Sequence, residues 1–126
     1  MFVEVRPTTP EELVGASEET LDYAVRSDPL LTYWFGEHCI AIVGFVPIGI
    51  ITGTAYLWMQ DTPYTDAHPT AVARLGRLTL NTIRTRYPRI IGECLVGANS
   101  VKWLRWLGAE FGEPNGPAIP FIIGGY

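Results

Sequence analysis

Residues 74–105 carry seven basic side chains and one carboxylate, whereas residues 1–66 carry ten acidic and two basic ones, so local balances of +6 and −8 underlie the net charge of −4. Clustered cations concentrate an anionic ligand, so the segment reads either as a local anion site or as a solvated helix face. His68 precedes Pro69 at a predicted helix start, where it either caps the helix or faces an anion drawn to the unpaired N–H groups. Glu93 is the single charged residue of the apolar stretch 90–96. Its carboxylate either turns to solvent, pairs with an arginine, or moves a proton.

The two cysteines, Cys39 and Cys94, sit in apolar stretches and belong to neither a CxxC pair nor a Cys/His cluster. They read as buried free thiols rather than a disulfide, and no metal site is expected. A basic segment inside an acidic chain argues against general nucleic-acid binding, which makes a whole domain basic.

These groups need a packed frame. With 126 residues, 48% apolar and 17% charged, the chain is expected to form one folded domain over residues 1–126, not a disordered segment. Its longest apolar run, 40–51, is broken by Gly44, Pro47 and Gly49, whereas a membrane helix needs about 20 consecutive apolar residues. No secretory pattern opens the sequence, so a cytoplasmic location is expected, with no membrane partner.

Residues 2–6 alternate as a strand and stop at Pro7. Thr9-Pro10-Glu11-Glu12 has the form of a capped helix start, Gly15 breaks that helix, and Ser17 caps a second one through Ser27 with Leu21, Ala24 and Val25 facing inward. Residues 38–59 predict two or three antiparallel strands, with a first reversal at 45–47 and a bulge or close approach at Gly53. A polar loop over 60–68 leads to the longest helix, 70–87, with Val72, Leu75, Leu78, Leu80 and Ile83 at apolar positions. A strand over 90–96, a helix from Asn99 or Ser100 to Leu107 stopped by Gly108, and two short strands, 109–111 and 118–123, complete an α+β order.

This order resembles the GNAT superfamily of N-acetyltransferases. Three segments carry the likeness: Val5-Arg6-Pro7-Thr8-Thr9-Pro10-Glu11-Glu12-Leu13 at the first strand and helix; the strand pair within 40–59 with its loop and helix; and Asn99-Ser100-Val101-Lys102-Trp103-Leu104-Arg105-Trp106-Leu107-Gly108-Ala109, similar to the family's second cofactor motif. The resemblance implies a GNAT-like mixed, mostly antiparallel six- to seven-stranded sheet flanked by about four helices. Within the superfamily, His68-Pro69, Arg86-Tyr87-Pro88 and the run Trp103-Leu104-Arg105-Trp106-Leu107-Gly108 look like a phage-encoded branch whose members include acetyltransferase-like and virion assembly proteins.

By that resemblance acetyl-CoA, or another acyl-CoA, would lie where the fourth and fifth strands splay, held by Met59, Gln60, His68, Arg74, Asn99 and Ser100. Its acyl group would pass to an amine acceptor, with Glu93 as the base, its pKa raised by partial burial. The sequence departs from the family in two places. The turn that normally presents glycines to the pyrophosphate reads Asp61-Thr62-Pro63-Tyr64-Thr65-Asp66-Ala67-His68-Pro69, with no glycine and two carboxylates. The family's acid, a tyrosine four residues before the glycine, is Leu104 here, leaving Tyr56, Tyr64 and Tyr87 as substitutes.

Two functions therefore compete: acetyl transfer from acetyl-CoA to an amine, and a non-catalytic phage protein of the same fold acting on a virion or host protein. A module for another small anion is a third. His38 reads as an edge residue. Trp34, Trp58, Trp103 and Trp106 read as core, or as a partner surface if exposed, and a homo-oligomer is allowed.

Overall fold

The computed structural model describes residues 3–95 and 99–124. Seven strands among them form one sheet in the order β1-β2-β3-β4-β5-β7-β6. The strands are β1 (Val3–Pro7), β2 (Leu30–Phe35), β3 (His38–Gly49), β4 (Thr54–Asp61), β5 (Arg89–Leu95), β6 (Glu110–Phe111) and β7 (Ala118–Ile123). Every neighbouring pair is antiparallel except β4 and β5. Parallel strands need a crossover, and α2 (Pro69–Ile83) supplies it. The other helices are α1 (Glu18–Arg26) and α3 (Asn99–Trp106), and a single 3-10 turn spans Pro10–Leu13.

Helix boundaries follow local chemistry. The Thr20 N–H donates to Ser17 Oγ at 3.1 Å, so one orphan donor of α1 is satisfied by its cap. Gly108 ends the α3 turn at φ +98°, where a side chain would be strained. Gly53, at φ +63°, has Pro88 so close that an added Cβ would lie 2.8 Å from its Cδ, which accounts for glycine there as a close approach.

Two apolar layers sandwich the sheet. Val72, Leu75, Leu80 and Ile83 of α2, with Leu104 of α3, pack on Tyr33, Val43, Phe45, Ala55 and Ile90. On the opposite face Ala24 of α1 packs on Ile42, Val46 and Trp58, with Tyr23 and Tyr56 beside them. Among the described residues no helix is long and apolar enough to cross a membrane.

Several sequence expectations need correction: the helix expected from Thr9 is only the turn Pro10–Leu13, and the helix expected over 70–87 ends at Ile83. Residues 30–35, assigned no element above, form β2 between β1 and β3. The reversal expected at 45–47 does not occur: β3 runs through Pro47 to Gly49, and residues 50–53 make the turn. The chain tolerates Pro47 because Phe45 donates to the Pro29 carbonyl and accepts from the Asp28 N–H. Pro47, two residues on, turns its nitrogen to the same side, past the end of β2, where no acceptor waits. Leu21 and Val25 are exposed at 41% and 86%, not inward, because Tyr23 stacks on Tyr56 and Ser27 accepts from Trp58, fixing α1 on its Tyr23–Ala24–Ser27 face. Leu78 is likewise exposed, off the α2 face that carries Leu75, Thr79 and Leu80.

Candidate functional site

The parallel ladder of β4 and β5 pairs Thr54 with Arg89, Ala55 with Ile90 and Tyr56 with Ile91, and then stops. Beyond it β4 keeps β3 as a neighbour to Asp61, and β5 keeps β7 to Leu95, so the two strands part while each remains anchored on its outer side. The backbone groups on the facing edges lose their ladder partners there. Gly92 lies at the fork, where an added Cβ would meet the Leu57 carbonyl at 2.9 Å and Phe121 Cζ at 2.6 Å. Only glycine lets the strands meet so closely just before they separate.

A cavity of about 240 Å³ opens in the fork, walled by Leu57, Met59, Trp103, Leu104 and Phe121. Tyr33 forms part of its floor and is 3% exposed. Thr79 donates to the Leu75 carbonyl, so the Tyr33 hydroxyl, 2.8 Å away, donates to Thr79. Burial pushes the Tyr33 phenol up to about 12, and the hydroxyl stays protonated and occupied. Asp61 and, from β5, Glu93 also border the cavity. Burial, and then the charge of Asp66, hold the Asp61 carboxyl above its ordinary range.

Glu93 is exposed rather than partly buried, because odd-numbered β5 residues face away from the large core that holds Ile90. It forms no salt bridge among the described residues, so the arginine-paired alternative does not hold. Met59 joins it at the cavity. Gln60, the next residue, accepts from the Thr20 hydroxyl at 3.2 Å on the α1 side of the sheet. His68 is the residue before α2 but makes no side-chain cap bond; its ring stacks on Phe35 with centroids 4.0 Å apart. Arg74 is exposed on α2 and does not line the cavity. Arg77 lies 3.9 Å over the Trp106 ring and donates to the Trp106 carbonyl, so it ties α2 to α3. Asn99 and Ser100 open α3, and their side chains lie outside the described residues.

The turn between β4 and α2 closes on itself. The Thr62 N–H donates to Thr65 Oγ1 at 2.8 Å and the Tyr64 N–H to Thr62 Oγ1 at 3.1 Å. The Thr65 and His68 N–H groups donate to the Thr62 and Thr65 carbonyls. Both hydroxyls are themselves donors, Thr62 to the Cys39 carbonyl and Thr65 to that of Ile40, each at 2.6 Å. Hydroxyls flanking a proline signal such a turn in the sequence, whereas the strand carbonyls that anchor it, 23 and 25 residues away, leave no local signal.

Of the substitute tyrosines, Tyr64 stacks on His38 at 4.1 Å and the Tyr87 hydroxyl donates to the Asp28 carbonyl at 3.0 Å. Tyr56 stacks on Tyr23, and its phenol is raised by burial first and then by Tyr23, Glu93 and Glu19. Cys39 and Cys94 are half-buried and not joined in a disulfide.

The seven-stranded sheet, parted β4 and β5, and three helices match solved structures over nearly their whole length. A spermidine N-acetyltransferase from Vibrio cholerae, in complex with CoA and spermine, superposes with TM-score 0.74 at 12% identity, covering 98% of this chain and 95% of that one. This chain has the GNAT acetyltransferase fold. A Bacillus subtilis acetyltransferase in complex with CoA gives 0.71 at 10% identity, with 97% of each chain covered. The ribosomal-protein-S18-alanine N-acetyltransferase from Escherichia coli gives 0.71 at 14% identity, covering 98% and 94%. No family model matches the sequence, and no curated protein matches it. At these identities the likeness is one of fold.

A CoA ligand meets this GNAT cleft unevenly. The apolar fork fits the acyl thioester and its arm, because β4 and β5 no longer pair with one another there. The threonine turn does not fit a diphosphate: four of its N–H groups are already bonded, and Asp61 and Asp66 add negative charge.

Proposed function

We propose that the fork between β4 and β5 binds an acyl thioester, with acetyl-CoA as the donor class, and passes the acyl group to an amine. The observation that carries this reading is the end of the parallel ladder at Tyr56 and Ile91, with an apolar cavity opening beyond it. Met59 covers the bound arm from β4. Glu93, exposed at the rim, takes the proton that the amine loses as its nitrogen bonds to the acyl carbon and the carbon–sulfur bond breaks. The spermidine and ribosomal-protein-alanine enzymes of the same fold are named for nitrogen acceptors, which supports an amine here.

Titration calorimetry with acetyl-CoA and with S-acetyl-pantetheine tests the reading. Binding of at least one thioester is expected, and Glu93→Gln should slow acyl transfer to a mixed amine panel about 100-fold while leaving binding intact. Absence of heat for both at millimolar ligand would remove the enzyme.

A second reading, an interaction protein of this fold that lacks the chemistry, draws on two observations. Leu104 puts a buried methyl-bearing side chain where the resemblance calls for an acid, and the threonine turn is closed. A virion or host protein would then be the partner, as the phage-like segments suggest. Wild-type turnover with any amine in the panel excludes it.

A further inference from the structure

The donor's nucleotide end has no counterpart in the fork, and this difference has a chemical consequence. Resting on the reading above, we infer that the site selects an acyl-pantetheine thioester through its arm alone, and that a nucleotide diphosphate adds nothing to binding.

Anion recognition at a helix start depends on N–H groups that no protein acceptor has claimed. In the stretch 62–68 the N–H groups of Thr62, Tyr64, Thr65 and His68 are all claimed, and Pro63 has none. Asp66 and Ala67 make no internal N–H bond among the described residues, but the first carries a carboxylate of its own. Pro69 opens α2 and also lacks a donor, the Val72 N–H is bonded to the His68 carbonyl, and Thr70 and Ala71 keep the two first-turn N–H groups for which the described residues supply no acceptor.

The turn cannot readily reopen to supply donors. Each threonine is bonded on two sides, accepting an N–H within the turn and donating to a β3 carbonyl, and Thr65 is 8% exposed. Moving Thr65 away from the turn would also strip its hydroxyl from the carbonyl of Ile40, a fully buried residue.

Charge acts in the same direction. Asp61 and Asp66 flank the turn, and burial first and then the charge of Asp66 raise the Asp61 carboxyl. Arg77 is engaged with Trp106, and His68 lies flat on Phe35. A diphosphate placed here would meet Asp61 and Asp66, with Lys102 of α3 as the cation that shares a hollow with Asp66 and Pro69.

The cavity, by contrast, is built from apolar walls where the β4–β5 ladder has ended, which suits an uncharged thioester arm. The ligand class that satisfies both halves is an acyl thioester of pantetheine without a nucleotide.

The test compares the dissociation constants of S-acetyl-pantetheine and acetyl-CoA for the full chain, by calorimetry at low and high salt. S-acetyl-pantetheine is expected to bind within about threefold of acetyl-CoA or more tightly, with no loss of acetyl-CoA affinity at high salt. Acetyl-CoA tighter by more than about threefold, or weakened by salt to that degree, overturns this inference and leaves the thioester site standing. No binding of either ligand overturns both.

Discussion

The Thr65 hydroxyl donates to the Ile40 carbonyl across 2.6 Å, pinning the turn after β4 to the first part of β3. The same oxygen accepts the Thr62 N–H at 2.8 Å, so one side chain satisfies a buried acceptor and a turn donor together. Thr65→Val keeps the shape and removes both bonds. Leaving a buried carbonyl unpaired costs about 1–3 kcal/mol, and urea unfolding should show a loss of that size. Unchanged stability in Thr65→Val would mean the turn is held by something else.

A second anchor lies on the opposite face. Trp58 Nε1 donates to Ser27 Oγ at 2.7 Å, and Ser27 Oγ donates to the Tyr23 carbonyl at 2.8 Å, joining the end of α1 to β4. Gly44 lies beneath this pair: an added Cβ would overlap Trp58 Nε1 and Ser27 Oγ and lie 2.5 Å from Trp58 Cε2. The indole is locked by its bond, so it cannot swing aside without losing Ser27. Gly44→Ala should therefore destabilise by about 1–3 kcal/mol through overpacking. Ser27→Ala in the same background frees the indole and should recover part of the loss. A simple sum of the two single effects would contradict this coupling.

Local chemistry explains what the sequence discloses and what it hides. Ser17, Gly53 and Gly108 act through the backbone beside them, so their roles as cap, close approach and helix stop were readable. β2 was not: Thr32 and Tyr33 are buried one after the other, so residues 30–35 do not alternate. Pro47 misled because proline usually ends a central strand, and only the early end of β2 excuses it. At the site, the fork was implied by family likeness and Glu93 was noticed as the lone charge in an apolar strand. The Tyr33–Thr79 pair, joining residues 46 apart, and the packing of Phe121 against Gly92 are long-range and leave no local signature.

Two aspartates predict opposite responses to pH. Burial and Asp66 raise the Asp61 carboxyl, so its protonated form is the one the fold favours. Its contribution is present below the unfolded pKa and is lost as pH rises through the folded one, leaving a cost at neutral pH. Asp28 is the reverse case: the Arg86 hydrogen bond lowers it, so its contribution is present above the unfolded pKa and disappears as pH falls through the depressed value. Asp61→Asn should raise Tm at pH 7, with the gain vanishing near pH 3. Asp28→Asn should lower Tm slightly at pH 7, with the loss vanishing on acidification. Thermal melts across that range check both signs, and a matching shift at every pH would show that charge is not the cause.

Leu104 offers the most direct route from structure to chemistry. It is 3% exposed and lines the fork on the side of α3, where the family likeness calls for a hydroxyl. A tyrosine there would be overpacked in a filled core, at about 1–3 kcal/mol, but the adjoining cavity of about 240 Å³ gives the ring somewhere to go. Leu104→Tyr should therefore fold with little loss of stability. Its hydroxyl would stand among apolar walls, where burial keeps a phenol protonated and ready to donate to a departing sulfur. If thioester cleavage is limited by the lack of that proton, turnover with an amine acceptor should rise about 100-fold, the usual scale of a positioned acid. The gain should disappear above the phenol's pKa, which a pH–rate profile reads directly. A folded, thioester-binding Leu104→Tyr protein with no gain would place the limiting step elsewhere, with Glu93 and the amine.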